Sequence, residues 1–388
     1  MDNRLATVTL RRRIPRLCVA ASLLVLARPL AAAVLPEDRA DLLYHSYEGG
    51  GAEISGPSLL LRKKFTESLS ASYNHYVDHV SSASIDVLTT ASPYTEEREE
   101  NSLRFEFLRD KMLFNIGVTR SNESDYDATT YSLGFSQDMF GDLTTVSMGF
   151  SQGANEVGRN GDAGFLEEAD WRSYRVGLTQ VLTRNLITTL SYEAIADEGF
   201  LNNPYRTVRY IDASVPRGFS FQSEVYPNTR TSNAFAVRAR YFLAHRAALQ
   251  LGYRYFDDSW GIAADTFELG YTWPVSEQWL LEFSLRDYEQ SSADFYSDLF
   301  PFVDAQNFLA RDKELSTFTS RTLGIGASYT IRPQTADYFD RFSINLNLDR
   351  ITFDYADFRD LTVTAQPGSE PAYQFDATVI RFFLSAWF

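Results

Sequence analysis

Apolar residues recur on every second position in segment after segment of this chain, a pattern that restricts the fold tightly. "RFSINLNLDR" places Phe342, Ile344, Leu346 and Leu348 on one side of an extended chain, with Ser343, Asn345, Asn347 and Asp349 on the other. "AALQLGYRYF" separates Leu249, Leu251, Tyr253 and Tyr255 from Gln250, Gly252 and Arg254. "WLLEFSLRDY" and "MLFNIGVTR" repeat the arrangement. A period of two belongs to strands with unlike faces, and helical spacing fits none of these segments.

The pattern restarts often enough to predict about sixteen strands, with fourteen as the fallback because the first, in "YHSYEGGGAEISGP", reads equally as a lead-in. The expected spans are 41–48, 54–63, 68–80, 101–109, 112–120, 128–137, 143–152, 170–181, 186–195, 230–243, 247–256, 263–273, 279–288, 317–330, 341–354 and 375–388. Tight turns at "RDK", "DMFGD", "LTRN", "LAHR" and "PVSEQ" alternate with long polar loops over 81–100, 153–169, 196–229 and 289–316. Short turns at one end and long loops at the other describe a transmembrane antiparallel β-barrel, with the turns periplasmic and the loops extracellular. A soluble β-sandwich also alternates, but it has no use for aromatics at strand ends such as Tyr241, Phe256, Trp273, Trp279, Tyr329 and Trp387, which suit membrane-interface girdles.

The last ten residues, "VIRFFLSAWF", sharpen this reading. Ile380, Phe382, Leu384, Ala386 and Phe388 fall on alternate positions, so the chain stops on an exposed aromatic of an apolar face. Lipid is the solvent that accepts such a face, and a closed barrel satisfies its backbone internally. The ending also resembles the C-terminal signal read by the outer-membrane barrel-insertion machinery, which implies that machinery as a partner beside the bilayer itself.

Residues 1–33 read as a removable export signal, with a basic region around Arg11, Arg12, Arg13 and Arg16, a short apolar stretch, and Ala31 to Ala33 as cleavage site. Residues 34–388 are then one barrel domain. Its net charge falls from −15 to about −20, because the signal carries six Arg and one Asp. Such a surface repels nucleic acid. Cys18 is the only thiol, which excludes a disulfide framework and a Cys-based metal site.

Charged residues opposite the apolar stripe are expected to line the lumen: Arg104, Glu106, Arg175, Glu193, Arg238, Arg240, Arg254, Glu268, Glu282, Arg286, Asp349, Asp376 and Arg381. Facing lipid, a Lys or Arg would cost about 2–4 kcal/mol at the midplane. By the same rule Leu346→Arg should impair folding and Asn345→Arg should be tolerated. No catalytic, cofactor or metal residue is assigned. His75 and His79 would stand about 13 Å apart on one strand, too far to chelate one ion. With four His in the chain, a proton-moving hydrolase has few candidates, so no enzyme is expected. The acidic stretches "NESDYD" and "GDAGFLEEAD" lack EF-hand spacing and read as solvated loops, while "SPYTEEREEN" and "AGFLEEADW" are among the acids expected to crowd the mouth.

"VDHVSSASIDVLTTASPYTEER", "DEGFLNNPYRTVRY", "EVYPNTRTSNA", "ADFYSDLFP" and "DAQNFLARDKELSTF" together resemble the bacterial family called domain of unknown function 3570, from about Arg39 to Phe388. The family has no assigned activity, so no site residue is carried over. The resemblance implies an envelope setting beside thioredoxin-like and flavin-transfer proteins. Two functions stay open: a porin-like channel for small hydrophilic solutes with weak cation preference, and a non-transporting barrel that anchors partners of an envelope, redox-linked assembly. Neither requires a cofactor. By analogy with other sixteen-stranded pores, either is compatible with a homo-oligomer.

Overall fold

The computed structural model describes residues 34–82, 94–333 and 338–388; the expected signal segment, with Cys18, lies outside the described residues. In chain order the strands are β1 (Arg39–Gly49), β2 (Ala52–Thr66), β3 (Leu69–Ser82), β4 (Tyr94–Arg109), β5 (Met112–Asn122), β6 (Tyr126–Met139), β7 (Thr144–Gly158), β8 (Leu166–Thr183) and β9 (Leu186–Gly199). They continue with β10 (Thr207–Ile211), β11 (Phe219–Ser223), β12 (Thr229–Phe242), β13 (Ala248–Asp258), β14 (Ala263–Pro274), β15 (Trp279–Gln290), β16 (Phe318–Ile331), β17 (Arg341–Arg359) and β18 (Ala372–Trp387). Sixteen of them pair antiparallel, each with its neighbour, and β1 pairs with β18 to close a barrel; β10 and β11 form a separate hairpin. All sixteen expected strands are present, including the first. The barrel is of the outer-membrane type.

The two-residue period builds this wall directly. Leu42, Leu59, Leu103, Ile116, Leu133, Leu190, Leu251, Leu323, Leu346 and Phe382 are all exposed on the outer face, an apolar belt that only lipid can cover. Inner positions are occupied by Ser, Gly, Asn and charged side chains. Gly252 has a specific role there: it lies in register between Arg238 and Glu268, and an added Cβ would come within 2.9 Å of the Glu268 carboxylate. Its missing side chain lets Arg238 reach Glu268 across an intervening strand, at 3.5 Å.

Barrel strands run from 11 to 19 residues, most of them longer than the roughly 9–11 that span lipid. The expected loop over 153–169 is therefore mostly strand, with β7 running to Gly158 and β8 starting at Leu166, and the expected loop over 81–100 has strand at both of its described ends, to Ser82 and from Tyr94. These extensions rise above the lipid, where the pattern changes sides before the bulge that shifts the β17–β18 register beyond Asp354. On β17, Ile344, Leu346 and Leu348 face out, yet further up Phe353 and Tyr355 face in and pack with Phe318, Phe358, Tyr373 and Phe375. Phe353 stacks on Phe375 at 4.6 Å.

Several expectations are corrected. That reversal accounts for Asp376 and Phe256, whereas Trp387 and Asn345, nearer the other end of their strands, are set by local contacts. Asp376 pairs in register with Thr352 and shares the outer side with Ile380 and Phe382; it binds Arg350 at 2.7 Å, outside the lumen. Phe256 is not a girdle residue but packs against the buried cluster of Trp260 and Phe295. Trp387 lies beneath the guanidinium groups of Arg39 and Arg341. Asn345 is inward but only 5% exposed, with Nδ2 donating to Ser343 Oγ and to the Phe383 carbonyl, so Arg does not fit there. Packing, not polarity, makes that position intolerant.

The residues of the C-terminal alternation lie on β18 and the residue after it. Ile380, Phe382 and Leu384 are exposed, while the Phe388 ring stacks on Tyr338 at 5.7 Å and its backbone N–H donates to the Asp38 carbonyl. Phe388→Ser is expected to lower the outer-membrane level of the protein in cells, with accumulation in the periplasm. An unchanged membrane level would show that the terminal ring is incidental.

Candidate functional site

Twelve of the thirteen nominated charges alternate with the exposed apolar residues and so project to the inner face: Arg104, Glu106, Arg175, Glu193, Arg238, Arg240, Arg254, Glu268, Glu282, Arg286, Asp349 and Arg381. Several are tied to wall neighbours. Arg175 binds Glu193 at 2.6 Å, Arg381 binds Asp349 at 2.6 Å, Arg240 donates to Gln250, and Ser70 donates to Glu106. These partners sit on adjacent strands, so the pairs run along the wall and do not cross the lumen.

The histidines divide between the two faces. His45 is inward, stacked on Tyr76 at 4.8 Å and bound to Asp78 at 2.6 Å. His75 and His79 face outward, 3.7 Å from Glu99 and 3.2 Å from Glu97 respectively. The sequence Gly149-Phe150-Ser151-Gln152-Gly153 matches the G-x-S-x-G string of hydrolases. It runs through β7 as paired strand, with Ser132 and Ser173 beside Ser151, so it lacks the sharp turn that exposes a nucleophile.

Long connections fold over the extracellular end. The hairpin β10–β11, loop 291–317 and loop 360–371 meet around a buried charge network. Arg209, 0% exposed, binds Glu370 at 2.6 Å and also bonds Asp298, while Arg311 reaches Asp298 at 3.0 Å. Arg359 donates to the Glu370 carbonyl at 2.6 Å. Burial works to raise the Glu370 carboxyl, but the hydrogen bond and charge of Arg209 outweigh it and hold the group below its ordinary range. Beside the network, Tyr226, Trp260 and Phe295 meet edge to face or tilted at 5.2–5.5 Å.

This cap reaches across the mouth. Tyr205 donates to Asp125 and accepts from the Asn160 N–H, in loops after β5 and β7, while Arg209, four residues on, is held by Glu370 between β17 and β18. Four residues span at most about 14 Å. Loops from well-separated parts of the ring are thus drawn together over its centre.

Between the cap and the upper walls of β4 to β9 lies a cavity of about 920 Å³. Its lining carries Glu96, Glu123, Asp125, Asp170, Asp197, Glu224, Asp312 and Glu314 against two cations, Arg206 and Arg311. Both cations are engaged, Arg206 with Asp312 and Arg311 with Asp298. Glu96, Glu123 and Asp125 bring one carboxylate oxygen each within 4.8 Å of one another, the one such triad among the described residues. Burial, then the charges of Glu96 and Asp125, push the Glu123 carboxyl up. "SPYTEEREEN", expected at the acidic mouth, and "NESDYD", expected as a solvated loop, supply this triad, and β4–β5 pairing joins them.

Glu224 forms the cap wall of the cavity, accepting from the Arg311 N–H at 2.7 Å and from the Tyr226 hydroxyl. Burial and the neighbouring Asp312 raise its carboxyl to about 7, against the pull of Tyr226, Arg311 and Arg206. The folded cap therefore holds a proton there that the unfolded chain has released, and its stability falls as pH rises from the ordinary carboxylate range to about 7. Protease cleavage of loop 200–228 is expected to increase across that window. Glu224→Gln should flatten the increase; an unchanged profile would remove Glu224 from the account.

Residues 82–171 and 166–341 match the family described as protein of unknown function DUF3570. The chain belongs to this family. No curated protein matches it. Among solved structures, the DUF3570 barrel resembles a bacterial polysaccharide outer membrane secretin, with 7% identity over 91% of this chain and 100% of that one, at a TM-score of 0.48. It also resembles the CymD monoaromatic hydrocarbon channel, at 9% identity over 91% and 89% and a TM-score of 0.42. A third is the siderophore receptor PirA of Acinetobacter baumannii, at 10% identity, 91% of this chain and a TM-score of 0.41; the DUF3570 barrel spans 60% of that receptor's length. Likeness this distant carries no argument about what the DUF3570 barrel binds.

Proposed function

We propose that this barrel is an outer-membrane channel for small hydrophilic solutes, with modest cation preference set at its extracellular mouth and no catalysis of its own. The observation that carries the reading is the placement of the acidic cavity. Aromatic packing of Phe353, Tyr355, Phe358 and Phe375 fills the mouth on the β16–β18 side, whereas the β4–β9 side keeps an open volume rich in carboxylates. A solute entering there meets a negative field that acts over about 8 Å at physiological salt. Below the mouth, Arg175 with Glu193 and Arg381 with Asp349 pair between adjacent strands along the wall.

With Asp376 outside, the nominated lumen charges number seven Arg against five acids, a weak opposing pull. Reversal potentials in a planar bilayer under a KCl gradient should show K⁺ favoured, the preference shrinking as salt is raised. Glu96→Gln with Glu123→Gln should reduce it further. Clear anion selectivity at low salt would place control with the lumen arginines.

The second reading, a non-transporting barrel that anchors partners of an envelope assembly, draws support from the cap, whose buried ion network makes a folded cover. Absence of any conductance would favour it.

A further inference from the structure

The cavity under the cap holds more acceptors than the protein can satisfy. Glu96 accepts from the Ser124 N–H and hydroxyl, Asp125 accepts from Tyr205, and Arg98 lies 3.7 Å from Glu123 while also bound to Glu100, so the cation nearest Glu123 is shared with another carboxylate. Asn155 is the independent sign. It projects from β7 into the lining of this cavity and of an adjoining 220 Å³ recess that Glu123 also lines. Its side chain is more than nine-tenths buried, at 8% exposure, and its Oδ1 has no hydrogen-bond partner. Thr207, on the cap side of the same cavity, likewise has a buried hydroxyl without a partner. Buried polar atoms are ordinarily satisfied, so the unmet Asn155 amide oxygen marks the place of a donor, and the Thr207 hydroxyl, which can donate or accept, is compatible with one.

The donor's chemistry follows from the walls. A carboxylate triad with a free amide oxygen suits a positively charged N–H donor, and an ammonium offers three such hydrogens. Tyr126 and Trp171 line the same volume and supply aromatic faces, which attract organic cations. A bare metal ion needs neither the aromatic rings nor about 920 Å³ of space, a volume in the range of small-molecule sites.

We propose that the cavity is a binding site for an organic ammonium ion, its charged nitrogen held by Glu96, Glu123 and Asp125 and by the Asn155 amide oxygen. As the capture site of a solute on its way inward it rests on the channel reading; as a binding site it does not.

The test is calorimetric titration of the full chain, folded in detergent micelles, with butane-1,4-diamine, and in parallel with butane-1,4-diol and with calcium chloride. The diamine is expected to bind saturably at one site and the diol not at all. Glu123→Gln should weaken the diamine at least tenfold and Asn155→Leu several-fold, with each variant's folding checked by the heat shift of its gel band. If Asn155→Leu does not fold, Asn155→Asp should tighten the diamine through its added charge. Equal binding of diol and diamine, or no binding of either, would overturn the site. Calcium binding that excludes the diamine would replace it with a metal site. Cation-selective conductance without diamine binding would overturn this inference alone; diamine binding without conductance would overturn the channel reading alone.

Discussion

Leu346→Arg is expected to cut sharply the yield of folded barrel in lipid vesicles, while Ser284→Arg leaves it near the parent's. Leu346 is 51% exposed on the outer face of β17, between Ile344 and Leu348, so a guanidinium there would lie in hydrocarbon. The cost is about 2–4 kcal/mol at the midplane, enough to shift a marginal folding equilibrium by well over tenfold. Ser284 projects inward on β15, in line with Gly324 and Asp349. Gly324 offers no side chain in that row, so an arginine at 284 can extend over it toward the Asp349 carboxylate. The comparison places the same charge on the two faces of one wall. Equal loss from both substitutions, measured as the heat-shifted gel band after folding into vesicles, would refute the assignment of faces.

The second large effect belongs to the cap. Arg209→Met removes a fully buried guanidinium and strands Glu370, while Asp298 keeps Arg311. Breaking a buried pair by removing one partner typically costs about 3–5 kcal/mol, because the remaining charge stays buried and unpaired. The loss should be local: loops 200–228, 291–317 and 360–371 become protease-sensitive while the barrel keeps its heat-shifted band. Adding Glu370→Met to Arg209→Met should restore part of the protection, since no stranded charge is left. Acid should mimic the single variant. Glu370's lowered carboxyl stabilises the cap above its ordinary range and loses that contribution as pH falls through its folded value. A cap as resistant in Arg209→Met as in the parent would mean the network contributes nothing to holding the mouth.

The barrel was legible because lipid imposes the period of two over every strand it touches. The cap was not. Above the lipid the solvent outside is water and the apolar environment is inside, so Phe375 points inward and Asp376 outward, the reverse of the pattern beneath. A rule learned on Ile380 and Phe382 carries the hydrophobic label to the wrong neighbour there. The candidate site suffered a different loss. Glu96 and Glu123 are 27 positions apart, and only the pairing of β4 with β5 brings them together; each alone sits in an acidic stretch of ordinary appearance. The hairpin β10–β11 also escaped notice, because five-residue strands inside a long polar loop give no sustained alternation.

The seam between β1 and β18 governs the order of assembly. Arg39 to Gly49 pairs residue by residue with Trp387 to Ala377, so the first and last strands each supply the other's missing partner. Until β18 is made, β1 has one unpaired edge; once β18 is made but not docked, there are two. Open edges of that length invite pairing with another chain. The pairings before the seam join strands separated by at most about 30 residues, yet the contact that completes the sheet spans from Arg39 to Trp387, and contacts of that separation form slowly. The chain is therefore vulnerable for as long as its last strand is undocked, and a free peptide copying β18 would end assembly by occupying the edge of β1.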